Sequence, residues 1–282
     1  MIILLTGGTG MLARTLAHRW SQHTIHAPDR EKLDVTRVEG VTAALAALKP
    51  QVVIHCAAHT KVDACETEVE AAYAINAIGS ANVAIACHRA EVRLIAISTD
   101  YVFRGDLDRP YREWDATGPL TVYGASKLAG EDAIRQHCHD HVIARVAWLY
   151  GAGGPSFVHT MLKLGAQDGG SMKVVQDQIG NPTSTDAVAL GLEPLLAPGG
   201  PVGIFHTTCT GEATWFDFTQ TIFRHQGFTR GVAPCTTAEY PRLAPRPANS
   251  RLDGMTRRLH GLAPMMPWQE ALERFLHDHP AG

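Results

Sequence analysis

The stretch Leu4-Leu5-Thr6-Gly7-Gly8-Thr9-Gly10-Met11-Leu12-Ala13 decides the fold. Residues 2–6 are a short apolar, β-branched run that stops at the glycines, and residues 11–20 follow with Leu12, Leu16 and Trp20 at helical spacing. Gly7 allows a tight turn, Gly10 lets the backbone approach a pyrophosphate, and Ala13 lets the helix pack closely on the strand. Free N–H groups at the helix start face the phosphates. Strand, loop and helix in this order predict a dinucleotide-binding unit.

Outward from that unit the pattern repeats. Residues 24–27, 51–56, 92–98 and 141–147 read as strands, and residues 38–48, 68–90 and 123–138 as helices. Alternating strands and helices predict an α/β fold built on a doubly wound parallel (Rossmann) sheet. After Tyr150 the cluster Gly151-Ala152-Gly153-Gly154-Pro155 breaks the pattern, and the rest of the chain is proline-rich with shorter elements. Two parts are therefore expected: a dinucleotide-binding domain over residues 1–150 and a smaller carboxyl-terminal substrate lobe over residues 151–282. Segments between about 172 and 207 are expected to return to the first part, with residues 203–207 as a strand.

Composition narrows the class. Hydrophobic residues at 45% and charged residues at 19% suit a chain that buries a large core, and 282 residues leave room for two domains. A net charge of −3 with no Lys/Arg block argues against nucleic acid polymers and anionic membranes as partners. The amino-terminal apolar run is too short for a signal sequence, so a cytoplasmic location is expected. Six cysteines without a CxxC pair read as buried free thiols. The cluster His137-Cys138-His139-Asp140-His141 reads as a helix end and turn, and no metal site is expected there.

About twenty residues past the glycine loop stand Asp29 and Arg30. An aspartate there can hold the ribose 2′-OH of NAD, and an arginine can pair with the 2′-phosphate of NADP. The residues leave that choice open. Asp34-Val35 is placed to reach the adenine, or else to cap the next helix.

Tyr123 and Lys127 lie four apart on one helical face. An ammonium near a phenol favours phenolate; bringing tyrosine from about 10 towards 7 takes roughly 4 kcal/mol. Such a pair donates a proton well to a carbonyl oxygen. Thr99, at the carboxyl end of the fourth strand, stands where doubly wound sheets place ligands.

The strings TGGTGMLA (6–13), STDYVF (98–103) and YGASK (123–127) resemble the extended short-chain dehydrogenases/reductases. HCAAHTKVDACETE (55–68), DATGPLTVYGASKLAGE (115–131), DQIGNPT (177–183) and RPANSRLD (246–253) narrow the resemblance to the dTDP-4-dehydrorhamnose reductase family, over nearly the whole chain. The resemblance implies that Tyr123 protonates the C4 keto oxygen of a dTDP-sugar, that Thr99 hydrogen-bonds the same oxygen, and that Lys127 tunes Tyr123 and holds the nicotinamide ribose. It implies NADPH as cofactor, with NADH also usable, bound along Gly7, Gly10, Met11, Leu12, Asp29, Arg30, Asp34, Val35, Ala57, Ala58 and His59. Val62, Asp100, Tyr101, Trp148, Arg246 and Asn249 match positions that meet the sugar nucleotide. Trp148 also reads as a core aromatic, and His59 as a satisfied core histidine.

The chain departs from the family at His55 and Ser156, where asparagine is common, and at Thr15, where some members carry a glutamate of a metal-bridged dimer. A monomer or weak homodimer without a metal bridge is therefore expected. Thr99-Asp100 is followed by Tyr101, so the acid pair of a sugar-nucleotide 4,6-dehydratase is incomplete, and STDYVF is not the usual string of a C4 epimerase. The alternatives that remain are another 4-ketoreductase, such as one forming dTDP-6-deoxy-L-talose, and a non-catalytic NADP-binding subunit resembling that of methionine adenosyltransferase.

Overall fold

In the computed structural model the described residues are 1–167 and 169–279. Five strands, β1 (Ile2–Thr6), β2 (Thr24–His26), β3 (Val52–His55), β4 (Arg93–Thr99) and β5 (His141–Val146), form a parallel sheet with the later strand Gly203–His206. From one edge the order is Gly203–His206, β5, β4, β3, β1, β2, with every pair parallel. This is the doubly wound sheet expected. Central strands buried on both faces are apolar throughout, as in Ile3-Leu4-Leu5 and Val52-Val53-Ile54, because helices cover each side.

One face packs on helix α1 (Met11–Arg19) and the helix Thr185–Leu192, with Leu12, Leu16, Trp20, Val188 and Leu192 in the core. The other packs on helix α2 (Val38–Leu48), the helix Gly79–Arg89 and Ile134. A separate cluster around Phe218, Trp268, Leu272 and Phe275 fills the carboxyl-terminal part. Among the described residues no helix is long and apolar enough to cross a membrane. All six cysteines are free, and five are buried.

Two expectations need correction. The helix expected over residues 68–90 is three consecutive pieces, Val69–Tyr73, a π-helical turn Ala74–Ile78, and Gly79–Arg89. The extra residue of a π turn does not disturb apolar spacing enough to be read from it. The return to the main sheet also begins later than residue 172. Strand Met172–Val175 pairs with Val232–Cys235, and Ile179–Gly180 with Ala213–Thr214 and Asn249–Ser250, all in the carboxyl-terminal part. Thr185–Leu192 is the first of these segments to pack on the sheet, since its Val188 and Leu192 have an apolar face to bury there.

The His137–His141 stretch ends the helix Val122–His137 and turns into β5.

Candidate active site

The carboxyl ends of β1, β3, β4 and β5 open into a cleft of about 850 Å³ between the sheet and the carboxyl-terminal part. Its floor begins at the glycine loop. Gly7 sits at φ +66°, and a Cβ there would come within 2.8 Å of the Ala57 backbone; a Cβ on Gly8 would come within 2.1 Å of the Ala27 carbonyl. The loop folds tightly because it lacks side chains. Gly10 caps α1 without a side-chain hydrogen bond, so the first N–H groups of the helix are left for a ligand. Gly10, Met11, Leu12 and Ala13 line the cleft. This arrangement fits a dinucleotide diphosphate.

The catalytic candidates meet at the end of β4. Thr99 ends that strand, and Tyr123 and Lys127 stand on the first turns of the helix Val122–His137, which Thr121 caps through its side chain. Thr99, Asp100, Tyr101, Tyr123 and Lys127 all line the cleft. The Thr99 hydroxyl donates to Asp100 Oδ1 at 3.0 Å and accepts from the Tyr101 N–H at 3.2 Å. Its only proton is thus engaged at Asp100. The Tyr101 and Tyr123 rings meet edge to face at 5.4 Å.

The electrostatics differ from the simple tyrosine–lysine expectation. Burial pushes the Tyr123 phenol above its usual range; the Thr99 hydrogen bond opposes the shift and the Asp100 carboxylate adds to it. Lys127 donates to the Ile97 carbonyl at 2.7 Å. Burial holds Lys127 down to about 8, although Glu131 favours its charged form. Burial pushes Asp100 up to about 6 against the hydroxyls of Ser250 and Thr99.

Beneath these groups runs a buried polar chain. The Ala57 N–H donates to Thr6 Oγ1 at 3.3 Å, and Thr6 and His55 Nδ1 share a 2.7 Å hydrogen bond. His55 Nε2 meets Ser80 Oγ at 3.1 Å, and Ser80 donates to the Asn76 carbonyl at 2.6 Å. Ser80 spends its proton there, so His55 carries hydrogen on Nε2 and accepts at Nδ1. The Asn76 amide brackets the His59 backbone, accepting from its N–H at 2.7 Å and donating to its carbonyl at 3.1 Å. It also donates to Ser126 Oγ at 3.0 Å, which donates to the Tyr123 carbonyl at 2.9 Å. Asn76 thereby joins the loop after β3 to the Tyr123 helix.

Not every expected residue reaches the cleft. Ala58, Val62, Trp148 and Arg246 line it; Gly7, Asp29, Arg30, Asp34, Val35, Ala57, His59 and Asn249 are not among its lining residues. Asp34 accepts from the Thr36 N–H and hydroxyl at 3.0 and 2.8 Å, closing a turn ahead of α2, whose own cap is Arg37 and not Asp34, and Val35 is buried in the core. The Asp29 carboxylate accepts from the Lys32 N–H at 3.0 Å, and Arg30 is exposed. The His59 ring pairs with Glu68 at 2.6 Å. Asn249 spends its amide on the Leu107 and Arg109 carbonyls, both at 2.8 Å, and its oxygen on Arg251, so it holds a loop.

Arg246 is held by Asp63 at 2.7 Å. Trp148, at φ +48°, stacks on Trp215 with ring centroids 3.5 Å apart. Asn76 and Trp215 carried no signal in the sequence, because their partners lie far along the chain, and Asp63 and Gln178 stood inside the strings 55–68 and 177–183 with nothing there to name their partners. Glu131 did carry one. It stands four residues after Lys127, and its carboxylate is buried against Arg145 at 2.6 Å and bonded by Ser98.

The family described as RmlD substrate binding domain matches residues 1–280. The chain is 43% identical to a dTDP-4-dehydrorhamnose reductase of Streptomyces griseus over 95% of its own length and 91% of the relative's. It is 42% identical to a probable dTDP-4,6-dihydroxy-2-methyloxan-3-one 4-ketoreductase of Streptomyces antibioticus, covering 98% and 94%. A crystal structure of dTDP-4-dehydrorhamnose reductase from Bacillus anthracis in complex with NADP superposes with a TM-score of 0.95 at 37% identity, covering 98% and 99%.

Proposed function

Because the chain belongs to the RmlD substrate binding domain family, we infer that it is an NAD(P)H-dependent dTDP-4-dehydrorhamnose reductase. It converts dTDP-4-dehydro-6-deoxy-L-mannose to dTDP-L-rhamnose, a step of nucleotide-sugar biosynthesis that feeds cell-surface polysaccharide. The observation that carries the reading is the convergence of Thr99, Tyr123 and Lys127 at the end of β4, in one cleft with the glycine loop.

A bound nicotinamide supplies the hydride. Tyr123 supplies the proton. Burial keeps its phenol protonated, which suits a group that must give a proton to the C4 oxygen as charge develops there. The phenol proton passes to the C4 keto oxygen. Thr99 then reaches the same oxygen only by releasing Asp100, so the two residues share the positioning. The Lys127 ammonium is buried, and the positive charge it supplies there acts more strongly than it would in water. The Met11, Leu12 and Ala13 N–H groups receive the cofactor diphosphate, and Asp29 and Arg30 face its adenosine end. Ala57, Ala58 and His59, bracketed by Asn76, border the nicotinamide side. Val62, Asp100, Tyr101, Trp148 and Arg246 border the sugar nucleotide.

The Streptomyces antibioticus relative favours a second reading, reduction of the C4 keto group of another dTDP-sugar. The protein acts in the cytoplasm as a monomer or weak homodimer. Thr15 supports the absence of a metal bridge, since its hydroxyl donates to Thr185 at 2.8 Å and no carboxylate stands there.

The test is loss of NADPH absorbance with dTDP-4-dehydro-6-deoxy-L-mannose, with NMR of the product to establish the C4 configuration. Tyr123→Phe is expected to lower kcat by about 10² or more and leave NADPH affinity unchanged. No turnover by the wild-type chain would overturn the reading.

A further inference from the structure

Trp148 is held in an unusual way for a cleft residue. It follows β5 in the left-handed backbone region at φ +48°, where a bulky side chain is a genuine outlier and persists only if its surroundings over-determine it. The surroundings are specific. Trp215, at the start of the helix Trp215–Gln226, lies parallel to the Trp148 indole, with ring centroids 3.5 Å apart and planes within 7°. Gly180 packs against the same indole so closely that a Cβ would come within 2.5 Å of Trp148 Cε2. Trp215 covers one face, and the atoms nearest that Cβ are Cε2, Nε1 and Cζ2, so Gly180 lies against the nitrogen-bearing side of the indole. Trp148 lines the cleft with its indole held by both contacts.

The clamp is fixed by a line of hydrogen bonds. The Trp215 indole N–H donates to Gln178 Oε1 at 3.0 Å, and the Gln178 amide donates to Thr237 Oγ1 at 3.0 Å. The Thr237 hydroxyl donates to Asp177 at 2.7 Å, and its N–H donates to the same carboxylate at 2.9 Å. Thr237 begins the short helix Thr237–Glu239, directly before Tyr240 and Arg242, which with Arg246 line the cleft. One connected set of side chains thus runs from the end of the main sheet to the segment that borders the sugar-nucleotide side.

We propose that Trp215 and Gln178 are positioning residues for the dTDP-sugar, holding the Trp148 indole in place at the cleft wall and in register with the segment that carries Tyr240, Arg242 and Arg246. The proposal rests on the reductase reading for the identity of the ligand. It assigns the pair no part in proton or hydride transfer, and it separates the two ligands of the cleft: loosening the clamp costs affinity for the sugar nucleotide and leaves the glycine loop untouched.

The experiment uses the full chain with dTDP as probe in calorimetric titration, NADPH in a parallel titration, and circular dichroism for the exciton couplet that two stacked indoles produce. Trp215→Ala is expected to abolish the couplet and raise the dTDP Kd and the KM for the keto sugar about tenfold, with NADPH Kd and kcat within about twofold of wild type. Trp215→Phe is expected to lose the couplet and restore most of the dTDP affinity, because a flat ring still covers the indole. Gln178→Met keeps the packing volume and removes only the tether, and is expected to raise the dTDP Kd about threefold to tenfold. A folded Trp215→Ala with unchanged dTDP affinity, or equal losses of dTDP and NADPH affinity, overturns the proposal. Should Trp215→Ala fail to fold, an unchanged dTDP Kd in Gln178→Met overturns it alone. The dTDP titration needs no turnover, so a wild-type chain that leaves the keto sugar unreduced overturns the reductase reading and not this one.

Discussion

Lys127 brings its charge into a place that strips water from it. The groups around its ammonium pull in different directions, with burial favouring the neutral amine and Glu131 and Cys56 favouring the cation. The charge is present below about pH 8 and lost above it. An alkaline fall in kcat/KM centred near pH 8 is therefore expected, since that ratio reports the free enzyme. Lys127→Arg, which stays charged, should move the fall upward in whatever activity it keeps. A rate that holds into the ordinary lysine range would show that the charge is not needed. Arg30 offers a second test at this scale. It is exposed beside Asp29, whose carboxylate already caps a turn, so its guanidinium is available to a 2′-phosphate. Arg30→Ala is expected to raise KM for NADPH about tenfold, equivalent to about 1.4 kcal/mol, and to leave NADH nearly unchanged in steady-state assays with both cofactors. Equal effects on both would place the preference elsewhere in the loop.

Among the elements, β3 and the interrupted helix after it are joined by a histidine that stays neutral in the folded state until the pH falls to about 3. Burial, with the Lys127 charge adding to it, holds His55 down to about 3 from an ordinary value of 6.5. Its stabilising effect is complete above pH 6.5 and is lost as pH falls from there toward 3, because the unfolded chain takes up a proton that the folded chain refuses. Asp100 acts in the opposite sense, since burial raises it to about 6 and the folded state binds its proton first. Replacing His55 alone separates the two. His55→Asn keeps an acceptor for Thr6 and a donor for Ser80, and its urea unfolding free energy should decline less steeply between about pH 6 and 4, by about 1.4 kcal/mol per pH unit. Parallel slopes for variant and wild type would show that His55 titrates normally. The helix itself was legible from its apolar spacing, whereas the π turn that aims Asn76 at the His59 loop was not.

For the whole molecule, the order of the chain and the order of the sheet disagree in one consequential place. The sheet is completed by Gly203–His206, and α1 packs against Thr185–Leu192, both of which come after the first lobe segments. Val188, Leu192, Leu195 and Phe205 are fully buried in the same core as Ile3, Leu5 and Leu16. The Arg19–Asp186 ion pair at the surface and the buried Thr15–Thr185 hydrogen bond tie the two stretches together. A fragment of residues 1–150 therefore lacks part of the core it needs. It is expected to show no cooperative thermal transition, whereas the full chain unfolds in one. A cooperative transition in the fragment would establish it as an independent domain.

The glycine loop, the alternation of strands and helices and the Tyr123/Lys127 pair could be read from the residues alone. Each is a short-range pattern: a turn needs glycine within a few residues, and a helix brings positions four apart onto one face whatever surrounds it. The partners that complete the cleft obey no such period. Arg246 finds Asp63 across a separation of 183 residues, Trp215 lies on Trp148, and Asn76 reaches both the His59 loop and Ser126. Those pairings exist because the apolar faces of the sheet, its covering helices and the carboxyl-terminal part can be buried together in only one arrangement, and that packing alone decides which distant polar side chains meet.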